Sequence, residues 1–415
     1  MHASSRSIRQ RFGRSDLPAS FWYLWVGTIV NRLGGFAVPF LMLYLTARLG
    51  MAPTSAALLV SVLGAGSFVA QLTGGELSDR LGRRPVMMLS FFVAPVAMIV
   101  LGLTHETALL FVAMFVLGFF TDLSRPAINA AVVDLVPAER RSRAFGYIYW
   151  AINLGAALAP IIAGLLANFD YFLLFVGDAL TTAVFGVIVL MRIPETQAVE
   201  VAIEARVPTG ARVGRALRDP ILLFFVGLSL LIGMMYSQAH VTLPLAMAAN
   251  GLPPSDYGLA IAVNGALIVL ITLQISRRVA KLPRYLVMAA AGLLLGTGFG
   301  LTAFASTLPL YALTVVVWTL GEVIGASIAP AIVSELSPPA MRGLYQGIWG
   351  SSWGLAFFIG PAVGGFVFDH YGSNALWAMT FVIGVIVALG FIVLSVPARR
   401  RAQAMSVESG SPVNG

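Results

Sequence analysis

Seven polar or ionisable residues interrupt otherwise apolar stretches of the sequence: Arg32, Asp122, Arg125, Asp178, Gln238, His240 and Glu322. An ionisable group inside an apolar run of membrane length costs roughly 2.5–3.5 kcal/mol to insert, so each one is expected to have a function. The chemistry open to such groups is proton exchange, ion pairing and the binding of a polar solute. Asp122 and Arg125 are three residues apart, which places them on one helix face as a pair. Glu322 has no basic neighbour in its own run, which suits a carboxyl that takes up and releases a proton. Asp122 is the second candidate for proton coupling. Asp178 is expected to be structural.

Other chemistry is excluded by what the chain lacks. It has no Cys, so disulfides, thiolate metal sites and a catalytic cysteine are ruled out. Its four His have no ligand spacing, and neither a phosphate-binding Gly-Lys-Ser/Thr loop nor a Ser-His-Asp arrangement can be found. No enzyme, metal or cofactor is expected.

The elements that must position these residues are membrane spans. The chain is 58% hydrophobic and 11% charged, where soluble domains are about 25% charged. Twelve apolar runs of about 20 residues predict twelve helices: 21–46, 55–76, 85–103, 107–134, 144–167, 171–193, 220–247, 256–276, 285–305, 307–334, 344–368 and 375–396. Pro194 to Asp219 divides them six and six, and its second part, from Ala211, reads as a linker or a short basic amphipathic helix. The expected organisation is a tail (1–20), a six-helix bundle (21–193), the linker (194–219), a second bundle (220–396) and a second tail (397–415). The first span is expected to be retained rather than removed as a signal peptide. Phe21, Trp22, Tyr23 and Trp25 are expected at its membrane interface.

The net charge of +8 is not spread evenly. Of 26 Lys and Arg, 23 fall in segments that alternate-loop counting puts on one side. That bias predicts cytoplasmic termini in the plasma membrane and argues against nucleic acid as a partner. The sequence also repeats itself. A shift of 201 carries Val132, Leu135, Pro137, Arg141, Gly146, Leu154, Pro160 and Gly164 onto Val333, Leu336, Pro338, Arg342, Gly347, Leu355, Pro361 and Gly365, and Asp134 onto Glu335.

Between the second and third spans lies Gly75-x-Leu77-x-Asp79-Arg80-x-Gly82-Arg83-Arg84. This loop resembles the signature between helices 2 and 3 of the major facilitator superfamily, the twelve-helix secondary transporters. The resemblance implies an all-α integral membrane fold of two pseudo-symmetric six-helix bundles, with the substrate site between them at mid-membrane. It implies that Gly75, Asp79, Arg80, Gly82, Arg83 and Arg84 form a clamp on the cytoplasmic side, with Asp134, Arg141, Glu335 and Arg342 as further parts. The loop after the eighth span (Arg277, Arg278, Lys281, Arg284) has the charge but not the Gly-x-Leu-x-Asp frame, so the clamp is expected to be asymmetric.

Gly146, Gly155, Pro160 and Gly164 in the fifth span resemble the antiporter signature of proton-coupled exporters, with Ala159 and Ala163 where that signature has Gly. Small residues and a proline at such spacing are also what closely packed membrane helices use. The family lines its cavity with helices 1, 4, 7 and 10, which implies Asn31, Arg32, Arg125, Gln238, His240 and Trp318 as cavity residues. Arg32 then pairs with Glu322 across the cavity, holds a substrate anion, or ties helices 1 and 4 together. The resemblance is closest to drug:proton antiporters, and implies protons, a small amphipathic substrate and the lipid bilayer as partners of a monomer. Symport of a sugar, peptide or organic anion is the alternative, and a non-transporting receptor or scaffold on the same fold is another.

Overall fold

The computed structural model describes residues 17–137, 140–196, 209–338 and 341–409. Among these residues there are helices and no strands. In chain order they are α1 (Ala19–Leu33), α2 (Ala37–Leu43, continued by a π turn to Arg48), α3 (Pro53–Leu81), α4 (Arg83–Leu103), α5 (Thr107–Leu135), α6 (Arg141–Phe169) and α7 (Phe172–Arg192). There follow α8 (Thr209–Ala216), α9 (Pro220–Val241), α10 (Leu243–Ala249), α11 (Pro254–Val279), α12 (Arg284–Leu301), α13 (Leu308–Leu336) and α14 (Arg342–Ser409). Eleven helical stretches among the described residues are long and apolar enough to cross a membrane. Large apolar side chains such as Val96, Leu180, Leu270 and Val393 stand more than 60% exposed, as lipid-facing residues of a multi-pass membrane protein do.

Helix ends follow local chemistry. Proline opens α3, α9 and α11, where its missing N–H costs nothing. Gly82 holds φ at +99° between α3 and α4, a conformation that favours glycine. The predicted first span is not one helix. Gly34 and Gly35 break it into α1 and α2, and a methyl added to Gly34 would collide with the Thr181 side chain. The long α14 carries a non-helical Gly372 at φ 83° and ψ 170°. Beyond the predicted last span the helix runs on to Ser409, through most of what composition suggested was a tail. The aromatic cluster near the start is packed in part, with Tyr23 left exposed. Phe21 is fully buried, and Trp25 donates to the Tyr147 carbonyl at 3.0 Å.

The repeat in the sequence reappears in the packing. A Cβ on Gly64 of α3 would lie 2.1 Å from the Phe357 carbonyl oxygen, and one on Gly265 of α11 would lie 2.5 Å from the Ala157 nitrogen. Gly365 approaches the Pro53 carbonyl as Gly164 approaches that of Pro254. The shift of 201 relates Gly64 to Gly265, Gly164 to Gly365 and Pro53 to Pro254. Residues 53–71 thus lie against 354–369, and residues 156–164 against 254–265. Thr54 adds a hydrogen bond to Asp369, its hydroxyl 2.7 Å from Oδ2. These contacts occupy the end of the molecule away from the arginine-rich loops. Towards the arginine-rich end, a Cβ on Gly75, Gly146, Gly347 or Gly350 would meet nothing within 4 Å.

Candidate functional site

The carboxyl of Glu322 is gathered by three helices. From α11, Asn264 donates to its Oε2 at 2.7 Å and also to the Thr319 hydroxyl at 3.1 Å. From α9, the Tyr236 phenol lies beside it. Both neighbours are neutral. The Tyr236 ring is centred 6.1 Å from Trp353, 6.3 Å from Phe357, 6.1 Å from His240 and 5.8 Å from Trp318, so the acid sits behind an aromatic wall. His240 presents a buried Nδ1 that has no hydrogen-bond partner among the described residues. With neutral neighbours and no ion pair to it among the described residues, the acid can hold or release a proton without breaking such a pair.

The other charges cluster on residues 31–178. Arg125 pairs with Asp122 at 2.8 Å, as their spacing predicts; the arginine is 55% exposed and the acid 10%. Arg32 lies in the field of Arg125, Asp122 and Asp178, and its buried Nε has no partner among the described residues. The pairing of Arg32 with Glu322 is therefore not what this structure holds. Asp178 accepts from the Ala37 backbone N–H at 3.2 Å and from the Thr182 hydroxyl at 3.4 Å. It satisfies an orphan donor at the start of α2, which the Gly34–Gly35 break exposes.

Three residues expected in the cavity are bonded to or stacked on neighbouring helices. Asn31 donates to Thr182 at 2.8 Å, within the same network. Gln238 is 2% exposed, donates to the carbonyls of Met234 and Gly360 and accepts from Thr242, which ties α9 to α14. Trp318 is 1% exposed and stacks on Phe299 at 5.3 Å, behind the Tyr236 ring. Sequence periodicity marks these residues as polar or aromatic but not which way each one faces.

The charged loops form two matching pairs. Arg83 bonds Asp79 at 3.0 Å and Asp134 at 3.2 Å. Arg284 bonds Glu335. The shift of 201 maps Arg83 onto Arg284 and Asp134 onto Glu335, so the expected asymmetry does not extend to this contact. Arg80 pairs with Glu76 at 2.5 Å, and Arg84 donates to the Leu190 carbonyl at 2.6 Å. Arg141 donates to the Val136 carbonyl at 3.1 Å. The side chain of Arg342 lies outside the described residues. Glu195, which sequence reasoning passed over, accepts from the backbone N–H groups of Arg83 and Arg84 at 2.9 and 3.2 Å and so caps α4.

In α6 the small residues are contact points. A Cβ on Gly155 would strike the Arg32 backbone, and one on Gly164 the backbone of Pro254 and Ser255. A Cβ on Gly258 would lie 2.2 Å from the Pro160 carbonyl oxygen. Gly146 faces open space.

Comparison with known proteins follows this geometry. A family model described as Major Facilitator Superfamily matches residues 24–324 and 231–411. The Bacillus subtilis MFS-type transporter YttB is 28% identical over 363 residues, 87% of this chain and 91% of that protein. The Na(+), Li(+), K(+)/H(+) antiporter of Planococcus maritimus is 24% identical over 375 residues, covering 82% and 84%. The multidrug resistance protein MdtH of Cronobacter sakazakii is 27% identical over 377 residues, covering 88% and 91%. The crystal structure of nucleoside transporter NupG superposes with a TM-score of 0.79 at 16% identity, covering 91% of this chain and 99% of that one, which is a likeness of fold alone.

Proposed function

The chain belongs to the major facilitator superfamily, whose members are transporters and not enzymes, and on that premise we propose that it is a proton-coupled secondary active transporter that exports small amphipathic compounds. Glu322 is the group that binds and releases the proton. The observation that carries this reading is the neutral surroundings of the acid, with the Asn264 amide bonded to it and the Tyr236 phenol beside it among aromatic rings. Arg32 and Arg125 are assigned as the polar wall of the substrate cavity. Substrates with an apolar body and a neutral or anionic polar group suit that wall and the aromatic rings better than lipophilic cations do. The names of two relatives, a multidrug resistance protein and a cation/H(+) antiporter, support export driven by protons.

Gly372 divides α14 into two spans, which makes twelve, with residues 21–193 and 220–396 as the two bundles. They rock about the glycine contacts, and the present arrangement is inward-facing: joined away from the arginine-rich loops and open towards them. Both termini then lie in the cytoplasm, and the protein works in the plasma membrane as a monomer. Asp134, Glu335 and the Gly75–Arg84 loop steady the cytoplasmic ends of the bundles and clamp them together in the opposite state.

Symport is the second reading. It is favoured by Ala159 and Ala163, which stand where the antiporter signature has glycine. Energised inside-out vesicles with a pH-sensitive dye separate the two readings. Antiport predicts that a neutral or anionic amphipathic compound dissipates the gradient, and that Glu322→Gln abolishes the response. Binding of such compounds without any proton movement would refute antiport.

A further inference from the structure

A cleft of about 760 Å³ opens where the linker helix α8 meets the starts of α9 and α14. Its charged and hydroxyl lining is Arg215, Arg218, Arg401, Asp219 and Tyr345. The one acid is engaged. Asp219 caps α9 through the N–H groups of Ile221 and Leu222, and its other oxygen takes the Tyr345 hydroxyl at 2.7 Å and Arg401 at 2.6 Å. Arg215 and Arg218, one turn apart, have no ion-pair partner among the described residues. The cleft is therefore a cationic recess, and guanidinium groups favour phosphate with paired N–H donors.

Its level in the molecule narrows the ligand. Pro220 opens the apolar span Pro220–Ala249, Pro338 lies two residues beyond the span that ends at Leu336, and Arg401 lies three beyond Ala398. The lining thus sits where the apolar spans stop, at headgroup height. Ala216 is fully buried and anchors α8, whereas Leu217, between Arg215 and Arg218, is 50% exposed. An apolar side chain beside basic ones is the pattern of a helix lying in a membrane interface. A dissolved anion has no use for Leu217 or for this height. We propose that the cleft binds the phosphate headgroup of an anionic phospholipid from the leaflet on the arginine-rich side.

Native mass spectrometry of the full-length protein in neutral detergent tests this, with phosphatidylglycerol or phosphatidylcholine added. The wild type is expected to retain phosphatidylglycerol preferentially. Arg215→Gln and Arg218→Gln each weaken retention about fivefold and the double variant roughly 30-fold. Arg277→Gln/Arg278→Gln removes the same charge from exposed positions outside the cleft and leaves retention unchanged. Arg401 is left intact because it holds Asp219. Equal losses in both double variants would mean diffuse surface attraction and overturn the proposal. So would equal retention of the two lipids, or displacement of phosphatidylglycerol by inorganic phosphate at matched concentration, which marks a site for free anions. Should the double variant not stay monodisperse, the two single variants carry the same comparison.

Discussion

Gly265→Ala is expected to push the protein out of the arrangement seen here. The added methyl would lie 2.5 Å from the Ala157 nitrogen and 2.6 Å from the Ala156 carbonyl carbon and oxygen. These are backbone atoms, so no side-chain rotation relieves the clash; α6 and α11 must move apart. Overpacking of this kind costs about 1–3 kcal/mol. In the rocking account only the state with these helices in contact bears that cost. The equilibrium therefore shifts by about 5- to 150-fold towards the opposite state. Alanine also favours helix over glycine by about 1 kcal/mol, so loss of local helix stability cannot produce the effect. The chain has no Cys, which makes labelling simple. Spin labels on Ala52→Cys and His370→Cys, both exposed beside the Thr54–Asp369 contact, report the separation of the two ends. The short-distance population should fall in Gly265→Ala and in its counterpart Gly64→Ala, and transport should slow in both. Gly227→Ala, at an exposed position of α9 that meets nothing within 4 Å, should change neither. An unchanged distance distribution in Gly265→Ala would refute the claim that this contact closes one face.

Asp134→Ala should lower the melting temperature more than Glu335→Ala. Asp134 is 20% exposed and its partner Arg83 12%, whereas Glu335 and Arg284 are 47% and 38% exposed, and exposed pairs contribute about 0–1 kcal/mol. Acid should weaken the corner where α9 begins. Burial alone would raise the Asp219 carboxyl, but hydrogen bonds from Tyr345, Arg401 and Leu222 hold it below its usual 3.8. A depressed carboxyl stabilises the fold above its unfolded value and loses that contribution as pH falls through the folded one. The stability gap between wild type and Asp219→Asn should therefore narrow below about pH 3.8, which thermal melts across pH 6 to 3 would record. Removing the cap altogether with Asp219→Ala should cost about 0.5–2 kcal/mol at neutral pH. Arg32→Gln should weaken binding of anionic substrates in equilibrium binding assays while sparing neutral ones; equal effects on both would remove Arg32 from the substrate wall.

The charged loop at Gly75–Arg84, the length of the apolar runs and the Asp122–Arg125 pair were legible because spacing alone fixes them. The 201-residue repeat was legible too, and applied to Arg83 it leads directly to Arg284 and its partner Glu335. A search for the Gly-x-Leu-x-Asp frame hides that pair, because the frame is missing while the contact persists. Asn264 was not legible: a neutral amide in an apolar run costs less than a charge and attracts less notice, yet it donates to Glu322 at 2.7 Å. Gln238, Asn31 and Trp318 illustrate the converse. Each has a side chain that suits a cavity, and each is occupied by a neighbouring helix whose position depends on tertiary packing. The break in the first span depends on the close approach of Thr181 to Gly34 and on Asp178 reaching Ala37, contacts about 140 residues apart in sequence.

Glu322→Gln in proteoliposomes tests the central claim most directly, with two assays on one preparation. Counterflow exchanges labelled for unlabelled substrate and needs no net proton movement; uphill transport driven by an imposed pH gradient does. If Glu322 carries the proton, the variant keeps counterflow close to wild-type rates and loses gradient-driven accumulation. Uphill transport at the wild-type rate in Glu322→Gln would contradict the account and move the proton to another group, with Asp122 next in line.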